Sequence, residues 1–407
     1  MILPGKRVLL GVCGGIAAYK APALLRLLQK KGAKVKVVLT SGAEAFITPL
    51  TFEALSGERA FCQRDFLRPL SGLIPHVELG RFAEAILVAP ATASFLASLA
   101  AGDAESLLSA TIMASEARVL LCPAMNPRMW AHPAVQENVA KLRSWGYEVL
   151  SPGEGELACG EVGPGRLPPE GVIVAFLERL LGPQDFSGKK VLVTAGPTRE
   201  PLDLVRFLSN RSSGRMGLAL ARAAWLRGAQ VTLIHGPLAV SPPPFIATVS
   251  VETAQEMREA VLSRFEGADI LIMAAAVSDY RPKEVFPGKI KKTEKTFTLT
   301  LERTPDILAE LSRRRRKGQI LVGFAAEEGE NLIPEAERKL EAKGLDLIVA
   351  NDISRKDAGF EVETNEVFLI GRGGLRGKLP LAPKDEIAWK ILDAVKELLD
   401  GEAGRPS

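Results

Sequence analysis

The sequence has few of the residues that build metal centres and disulfide frameworks. Its 407 residues include only three histidines and four cysteines, Cys13, Cys62, Cys122 and Cys159, with no CxxC spacing among them. A zinc site or a disulfide scaffold would need more of these side chains, at closer and more regular intervals. We therefore expect a protein of the reducing cytoplasm.

An excess of one charge is also missing. The 52 basic and 48 acidic side chains leave a formal net charge of +4. A balance of this kind argues against nucleic acid or an anionic membrane as the principal partner. The longest uncharged stretch, residues 85–102, contains Pro90 together with several Ser and Thr residues. We therefore expect no membrane-spanning segment.

Two nucleotide-binding signatures are absent as well. No GxxxxGK[ST] occurs, because every Gly-Lys pair is followed by a residue other than Ser or Thr, and no complete GxGxxG occurs either. The first absence excludes a P-loop NTPase as the simple interpretation. The second absence argues against a two-domain nicotinamide dehydrogenase. A bound yellow flavin would exclude that alternative.

Apolar runs of strand length alternate with helical patterns in both halves of the chain. This alternation predicts an α/β protein with two consecutive doubly wound, mostly parallel sheets of the Rossmann or flavodoxin-like type, covering residues 1–182 and 188–407. The predicted strands are residues 7–12, 34–40, 85–89, 119–122 and 147–150, then 190–194, 230–235, 269–275, 319–324 and 346–349.

Residues 151–171, crowded with glycine and proline, lie late in the first half. They are either a surface connection or a flap over a site, since a loop of that length without secondary structure is uncommon in a compact domain. A helix over residues 171–181 would then close the first domain.

Three predicted strand ends of the first half carry residues suited to a ligand. A glycine turn is weak evidence alone, but the carboxyl ends of parallel strands meet at one sheet edge, where doubly wound folds bind ligands. The turn after the first strand would let backbone N–H groups approach a phosphate closely. The candidate cofactor-binding residues are Gly14, Gly15, Ile16, Thr40, Ser41, Ala91 and Thr92.

His76 and Asn126 have ordinary interpretations when each is taken alone, as a surface histidine and a turn former. Together with the segments GGIAAYK at 14–20, PATA at 90–93, PAMN at 123–126 and ACG at 158–160, they resemble the flavin-dependent cysteine decarboxylases, specifically the phosphopantothenoylcysteine decarboxylases. The resemblance spans essentially all of residues 1–182.

This resemblance implies a bound FMN, which oxidises the thiol-bearing carbon of the substrate so that CO₂ can leave. It implies that His76 is the base that helps to activate the substrate, and that Asn126 holds the substrate carboxylate or amide. Cys159, on the flap, would protonate the ene-thiol intermediate. A regulatory flavoprotein without enzymatic activity is the alternative, but the joint presence of these three residues argues against it.

The second half repeats the pattern of polar residues after strands. Residues 194–203 follow a strand and residues 209–217 open a helix, an arrangement suited to an anion. The strand at 269–275 leads to Asp279, and Lys289, Lys291 and Lys292 follow in a basic loop. A carboxylate beside lysines suits a nucleotide with its metal, although a lysine-rich hairpin is more often only a solvated edge.

This second set resembles the phosphopantothenate-cysteine ligases over residues 188 to about 400. The resemblance implies CTP as co-substrate, Mg²⁺ near Asp279, and an acyl-cytidylate step served by Arg206 and Asn210, with Lys289 opposing the charge of departing pyrophosphate. The residues implied to bind CTP are Met273, Ala274, Ala275, Asp279, Lys289, Pro305, Asp306, Ile307, Leu308, Phe324, Lys339 and Lys343.

The two resemblances occur in the order found in bifunctional coenzyme A biosynthesis enzymes. They imply 4'-phosphopantothenate, cysteine and CTP as substrates. They also imply a homo-oligomer with paired ligase domains and trimeric decarboxylase contacts, for which a dodecamer is one arrangement. The sequence leaves the oligomer size open, and it leaves open the choice between CTP and ATP.

Overall fold

The protein is described from a computed structural model, which covers residues 2–68, 74–157, 160–291, 296–354, 362–372 and 374–403. The chain divides into two compact units, Met1–Gly182 and Pro183–Ser407. None of the helices in these ranges is both long and apolar enough to cross a membrane.

The first unit alternates strands and helices along the chain. Its strands are β1 (Arg7–Val12), β2 (Lys34–Leu39), β3 (Ala60–Phe61), β4 (Ala85–Ala91), β5 (Arg118–Pro123), β6 (Glu148–Val149), β7 (Gly153–Glu156) and β8 (Val162–Arg166). Its α-helices are α1 (Ala21–Lys30), α2 (Ser41–Glu44), α3 (Pro49–Ser56), α4 (Pro75–Phe82), α5 (Ala93–Ala101), α6 (Leu107–Met113), α7 (Pro127–Ala131), α8 (Pro133–Ser144) and α9 (Glu170–Leu181).

The first sheet has the order β3-β2-β1-β4-β5-β6, with every neighbouring pair parallel. Alternate residues of β1 enter two different cores, because successive strand side chains point to opposite faces. Val8 and Leu10 pack beneath α1 and α9 with Leu24 and Ile173, whereas Leu9 packs on the opposite face among residues of α4, α5 and α8. Both faces are covered, so the doubly wound α/β prediction is confirmed.

Two local predictions for this unit differ from the structure. The sequence pattern predicts one helix over residues 16–31, but a 3₁₀ turn at Ile16–Lys20 precedes α1, whose first turn contains Pro22. Proline lacks the N–H that would continue hydrogen bonding from the preceding turn, so the α-helix begins there instead. The flap, predicted without secondary structure, contains the antiparallel hairpin of β7 and β8.

The second unit begins in the same way and ends with an antiparallel extension. Its strands are β9 (Lys190–Ala195), β10 (Arg199–Pro201), β11 (Phe207–Ser209), β12 (Gln230–His235), β13 (Ala247–Ser250), β14 (Ile270–Met273), β15 (Tyr280–Pro282), β16 (Leu301–Arg303), β17 (Ile320–Glu327), β18 (Leu347–Asp352), β19 (Thr364–Gly371) and β20 (Gly374–Pro383). Its α-helices are α10 (Arg215–Leu226), α11 (Ala254–Phe265), α12 (Ile307–Arg314), α13 (Leu332–Ala342) and α14 (Lys384–Ala403).

The main sheet of this unit has the order β13-β12-β9-β14-β17-β18-β19-β20. The strands from β13 to β18 are parallel, and β19 and β20 add antiparallel pairs at one edge. Helices α11, α12 and α13 bury Met257, Leu311 and Leu340 in one continuous core with the sheet. Helices α10 and α14 pack against each other and against the strands.

Arg227, just after α10, contacts both the first residues of this unit and its last helix. Its guanidinium, 3% exposed, binds Asp185 and also Asp393 of α14 at 2.6 Å. It stacks on Phe186 and Trp389, with centroid distances of 4.8 and 5.2 Å. The first residues of the unit, α10 and α14 therefore share one buried ionic contact.

Candidate functional site

In the first unit, the segments that follow β1, β2, β4 and β5 meet at the carboxyl edge of the sheet. The N–H of Cys13 donates to the carbonyl of Pro90 at 3.1 Å, and the N–H of Ala124 donates to Ala91 at 3.1 Å. The N–H of Thr40 donates to the carbonyl of Val12 at 3.0 Å. The structure thus brings the predicted cofactor-binding segments after β1, β2 and β4 together.

Gly14 makes the closest approach in this edge. A Cβ added there would lie 2.4 Å from the carbonyl carbon of Gly42, so the turns after β1 and β2 are in backbone contact. A Cβ at Gly15 would meet only the methyl of Thr92, at 3.9 Å. The hydroxyl of Thr92 accepts from the N–H of Phe95 and caps α5. Backbone groups, rather than large side chains, therefore form this surface, which is what close approach to a phosphate requires.

His76 lies in the first turn of α4, the helix that precedes β4. Its ring packs edge-on against Phe66, with centroids 5.5 Å apart. Its Nδ1 is buried and has no hydrogen-bond partner among the residues that the structure describes. A buried ring nitrogen in this state is costly unless a ligand or a water completes it.

Asn126 is bound to the flap. Its side-chain oxygen accepts from the N–H of Arg128 at 2.8 Å, which caps α7, and its Nδ2 donates to Glu161 at 2.7 Å. The flap backbone also contacts the same loop, since the N–H of Met125 donates to Gly165 at 3.0 Å. Asn126 is therefore positioned jointly by α7 and by the flap. Cys159 lies outside the described residues.

The second unit contains a cavity of about 610 Å³ along the carboxyl ends of its parallel strands. The predicted CTP-binding residues in its wall are Met273, Ala274, Ala275, Asp279, Pro305, Asp306, Ile307, Leu308, Phe324, Lys339 and Lys343. Ser212, Arg215, Arg303, Asn351, Asn365 and Lys384 also line it. The structure thus brings nearly all of the predicted nucleotide-binding set into one wall.

Short hydroxyl contacts shape this cavity. The Thr194 hydroxyl accepts from the N–H of Ala275 at 3.1 Å, and the Thr304 hydroxyl donates to the carbonyl of Ser278 at 2.6 Å. Gly214, with φ of 75°, ends the loop before α10, and a Cβ there would lie 2.1 Å from Leu238. The strand-end turns and the start of α10 are consequently packed without room for side chains.

The cavity wall carries an excess of positive charge. Of its charged lining residues among those described, five are basic and two are acidic. Lys339 of α13 and Lys343, the residue after this helix, are both ion-paired: Lys339 binds Glu327, and Lys343 binds Asp306 at 3.1 Å. A wall of this composition suits a polyanion more than a neutral ligand.

Lys289, Arg206 and Asn210 do not appear among the described residues of the cavity wall. Arg206 instead donates to the carbonyl of Ile290 at 3.0 Å, next to the exposed Lys289. Asn210 donates to the carbonyls of Ala276 and Val277, both at 3.2 Å, and these two residues do line the cavity. Of the three predicted catalytic residues, Asn210 therefore borders the cavity through the backbone that it binds, whereas Arg206 and Lys289 are joined to each other's loop, through Ile290.

Several residues of the cavity wall were not predicted from the sequence, and only some of them lie in a motif that could have identified them. Arg215 belongs to the motif at 209–217 that was expected to form an anion site. Asn365 and Lys384 belong to the antiparallel extension and to the start of α14, for which no strand or site was predicted. Lys384 begins a helix in a sequence typical of a solvated lysine, so the sequence carried no signal for its burial.

The side chains of the described residues do not by themselves indicate a bound metal ion. Within the described ranges, no group of three or more His, Cys, Asp or Glu side chains is close enough to hold a metal ion. The predicted magnesium contact at Asp279 would thus involve fewer than three such side chains, an arrangement that Mg²⁺ adopts when phosphates and water supply its other ligands.

Comparison with known proteins gives two family matches, one for each unit. Residues 2–182 match the family described as Flavoprotein, and residues 186–399 match the DNA/pantothenate metabolism flavoprotein C-terminal domain. Among solved structures, the C-terminal domain of a Coenzyme A biosynthesis bifunctional protein CoaBC is 41% identical, with a TM-score of 0.46, covering 54% of this chain and 99% of that one.

Two curated relatives align over nearly the whole chain. The Coenzyme A biosynthesis bifunctional protein CoaBC of Bacillus subtilis (strain 168) is 45% identical over 403 residues, 98% of each chain. The protein of the same name from Mycobacterium bovis is 44% identical over 411 residues, 97% of each chain. This chain belongs to the family of the coenzyme A biosynthesis bifunctional proteins CoaBC.

Proposed function

We propose that the chain is an enzyme of coenzyme A biosynthesis with two active sites. Residues 188–407 join cysteine to 4'-phosphopantothenate, and residues 1–182 decarboxylate the product to 4'-phosphopantetheine. Family membership over nearly the full length supports both activities. The observation that carries the ligase assignment is the basic cavity of about 610 Å³, whose wall unites the residues expected to bind a nucleotide.

In the ligase half, we assign CTP as the activating nucleotide. The carboxylate of 4'-phosphopantothenate attacks the α-phosphate, the bond to pyrophosphate breaks, and an acyl-cytidylate forms. The amine of cysteine then attacks the acyl carbon, and CMP leaves with the bonding electron pair. Mg²⁺ held by the phosphates and by Asp279 would neutralise charge during the first step.

Lys289 and Arg206 act together in this proposal. Arg206 binds the carbonyl of Ile290, so it fixes the backbone of the loop that carries Lys289. The exposed Lys289 can then close toward the leaving pyrophosphate. Positioning of a cation by a separate, backbone-held contact is a common way to stabilise charge that develops only in the transition state.

The carboxyl edge of the first unit fits a flavin mononucleotide. Gly14 lets the turns after β1 and β2 come into backbone contact, Gly15 leaves open backbone beside them, and the buried Nδ1 of His76 lacks a protein partner among the described residues. When bound, flavin supplies a two-electron acceptor that oxidises the thiol-bearing carbon and later returns the hydride. The residues proposed to hold it are Gly14, Gly15, Ile16, Thr40, Ser41, Ala91 and Thr92.

Three side chains of the first unit would act on the substrate. His76 takes a proton as general base, a task that suits an imidazole near neutral pH. Asn126, already anchored by Arg128 and Glu161, presents its amide to the substrate carboxylate or amide. Cys159 donates a proton to the ene-thiol after CO₂ has left.

Both units are proposed to work in a homo-oligomer. In the second unit, the turn between β10 and β11 exposes Leu204 at 79% and Val205 at 61%, and Phe207 follows at 45%. A group of exposed apolar side chains of this kind commonly marks a protein contact. We propose that it pairs ligase domains, and the molar mass of Leu204→Glu measured by light scattering would test this.

The function is tested by supplying 4'-phosphopantothenate, cysteine and Mg²⁺ with CTP, ATP, GTP or UTP in turn. Pyrophosphate and CO₂ are measured separately, and the absorption spectrum of the purified chain is recorded. We expect a flavin spectrum, pyrophosphate release with CTP, and CO₂ only after ligation. A nicotinamide spectrum, or CO₂ without any nucleotide from the same starting mixture, would contradict the proposal.

A further inference from the structure

The segment 276–279 carries Asp279 to the wall of the cavity of about 610 Å³. The regular pairing of β14 with its two neighbours ends at Met273, so the main sheet no longer holds this segment. Asp279 is exposed, and among the described residues its carboxylate has neither a hydrogen bond nor an ion pair. The position of the carboxylate is therefore set by the backbone that carries it.

Backbone and amide donors fix the start of this segment. The N–H of Ala276 donates to the carbonyl of Gly196 at 2.9 Å, and the N–H of Thr198 donates to the carbonyl of Ala276 at 3.3 Å. Asn210 donates from its side chain to the carbonyls of Ala276 and Val277, both at 3.2 Å. The contacts that hold the end of the segment, next to Asp279, come from two threonines.

Thr198 holds Ser278, the residue directly before Asp279. The Thr198 hydroxyl accepts from the N–H of Ser278 at 3.0 Å. Thr198 is 0% exposed and Ser278 is 6% exposed, and Thr198 is not among the described residues that line the cavity. A buried N–H that loses its acceptor is costly, so this hydroxyl constrains the backbone strongly. Thr198 acts on the segment without reaching the cavity itself.

Thr304, directly after β16, holds the other side of Ser278. The Thr304 hydroxyl donates to the carbonyl of Ser278 at 2.6 Å, and the backbone N–H of Thr304 donates to the carbonyl of Asp279 at 2.9 Å. The peptide groups on both sides of Asp279 therefore each have a bonded partner. The backbone of Asp279 is fixed while its side chain stays open to a ligand.

The turn that carries Thr198 is itself anchored, because Thr198 directly precedes β10. Glu200 of β10 is 2% exposed and accepts from the N–H of Ala254, at the start of α11, at 2.9 Å. The hydroxyl of Ser209, in the paired strand β11, donates to the carbonyl of Thr198 at 2.7 Å. The Thr198 hydroxyl is consequently held in place relative to a helix of the core.

We propose that Thr198 and Thr304 are positioning residues that aim the Asp279 carboxylate at the Mg²⁺ of the bound nucleotide. The assignment rests on the proposed ligase function, which supplies CTP and Mg²⁺. Groups that orient a metal ligand from behind typically contribute about tenfold to a hundredfold to metal affinity. In this chain, two hydroxyls on the backbone of the 276–279 segment do so.

The test compares the binding of CTP in Mg²⁺ with its binding in EDTA, by calorimetric titration of the full-length chain. Thr198→Val nearly keeps the shape of the side chain and removes the hydroxyl, whereas Thr198→Ser keeps the hydroxyl. Thr194→Val is the matched control. Thr194 is also 0% exposed, and its hydroxyl accepts from the N–H of Ala275 at 3.1 Å rather than from Ser278.

We expect Thr198→Val to lower the enhancement of CTP affinity by Mg²⁺ by about tenfold, with the affinity in EDTA close to that of the wild type. Thr198→Ser should restore most of the enhancement. Any change in CTP affinity in Thr194→Val should be the same in Mg²⁺ and in EDTA. An unchanged enhancement in Thr198→Val would overturn the proposal, and so would an equal loss of affinity in both solutions, which indicates a structural role.

A double-mutant cycle shows whether Thr198 acts through Asp279. Asp279→Asn should itself lower the enhancement by Mg²⁺. Adding Thr198→Val to Asp279→Asn should lower it little further, because two changes to one contact are not additive. Two effects that multiply in the double variant would show that Thr198 acts independently of Asp279 and would overturn the proposal.

Thermal denaturation shows whether Thr198→Val is folded. Should it fail to fold, Thr304→Val at a half-buried position replaces it, with the same expected outcomes and with Thr304→Ser as the variant that keeps the hydroxyl. A wild-type chain that releases no pyrophosphate with any of the four nucleotides would refute the ligase function itself. A wild type that releases pyrophosphate but binds CTP equally in Mg²⁺ and in EDTA would overturn only the roles given to Asp279, Thr198 and Thr304.

Discussion

The carboxylate of Asp203 accepts a hydrogen bond from the backbone N–H of Ile290 at 3.0 Å. It also accepts from the N–H groups of Val205 and Arg206, at 2.7 and 2.8 Å, and its side chain is fully buried. One side chain therefore ties the turn before Arg206 to the loop that carries Lys289. Because neither segment is part of a main sheet strand, this contact holds the two proposed catalytic residues together.

Replacing Asp203 by Asn should reduce ligase activity by about tenfold to a hundredfold, since misplacing catalytic groups slightly has effects of this size. The amide has one acceptor oxygen, and its NH₂ group would face backbone donors. Decarboxylation of phosphopantothenoylcysteine supplied directly should continue at the wild-type rate. A ligase rate equal to that of the wild type would show that the contact does not position the loop.

The same variant should change the pH dependence of stability. The N–H of Ile290 and the neighbouring donors lower the pKa of Asp203. A carboxyl with a lowered folded-state pKa stabilises the fold above the unfolded-state pKa, about 3.9, and this stabilisation is lost as pH falls through the folded-state value. Denaturation of wild type and Asp203→Asn should thus differ most near neutrality, and the difference should shrink below about pH 4.

Lys289→Gln should slow formation of the acyl-cytidylate by roughly a hundredfold, because losing a charge contact to the departing pyrophosphate typically costs about 3 kcal/mol. Lys291→Gln is the control, since Lys291 lies exposed in the same loop. If both lysines are interchangeable solvated charges, the two variants will behave alike. Pyrophosphate release measured with and without cysteine separates the activation step from amide formation.

The apolar strands of both sheets could be predicted because a buried parallel strand is a continuous apolar run. The segment 319–324, for example, begins one residue before β17 and otherwise falls inside it, and 230–235 is β12 itself. Neither β19 nor β20 was predicted, and in β20 the residues Gly374, Gly377 and Pro380 give the stretch the appearance of a loop. β19 joins the sheet through its antiparallel pairing to β18, and β20 joins it through its antiparallel pairing to β19.

The candidate site likewise contains some residues that could be predicted from the sequence and others that could not. Residues immediately after strands could be assigned to a ligand because the carboxyl ends of parallel strands share an edge. Lys384 could not, because its burial results from α10, residues 362–363 and α14 meeting across nearly two hundred residues of sequence. The sequence also gave no sign that Glu327 and Asp306 would pair with Lys339 and Lys343.

His76→Asn should abolish reduction of the bound flavin by phosphopantothenoylcysteine while ligase activity stays normal. Asparagine keeps a polar group near Phe66 but cannot accept and hold a proton as imidazole does. The measurement is substrate-dependent bleaching of the flavin absorption band under anaerobic conditions. Bleaching at the wild-type rate would show that His76 is not the base, and loss of flavin itself would show that the residue serves binding.

Gly14 and Gly15 are neighbours that differ in the space available to an added side chain. A Cβ at Gly14 would lie 2.4 to 2.7 Å from backbone atoms of Gly42, whereas a Cβ at Gly15 has its nearest neighbour at 3.9 Å, and the φ of Gly15, −172°, is open to any residue. Gly14→Ala should therefore force the turns after β1 and β2 apart. Gly15→Ala should leave them in place.

For the flavin-free chain, we expect Gly14→Ala to destabilise the first unit by about 1 to 3 kcal/mol, the usual range for overpacking, and Gly15→Ala to change its stability by no more than about 0.5 kcal/mol. If the glycine pair forms the cofactor surface, both variants should nevertheless bind FMN more weakly, because a methyl at Gly14 displaces the turns that form the surface and a methyl at Gly15 stands in the open space beside them. Denaturant titration without flavin and fluorescence titration with FMN measure the two effects separately. A Gly15→Ala chain with unchanged FMN affinity would remove that residue from the flavin site, while an unaltered Gly14→Ala stability would show that the two turns can separate at little cost.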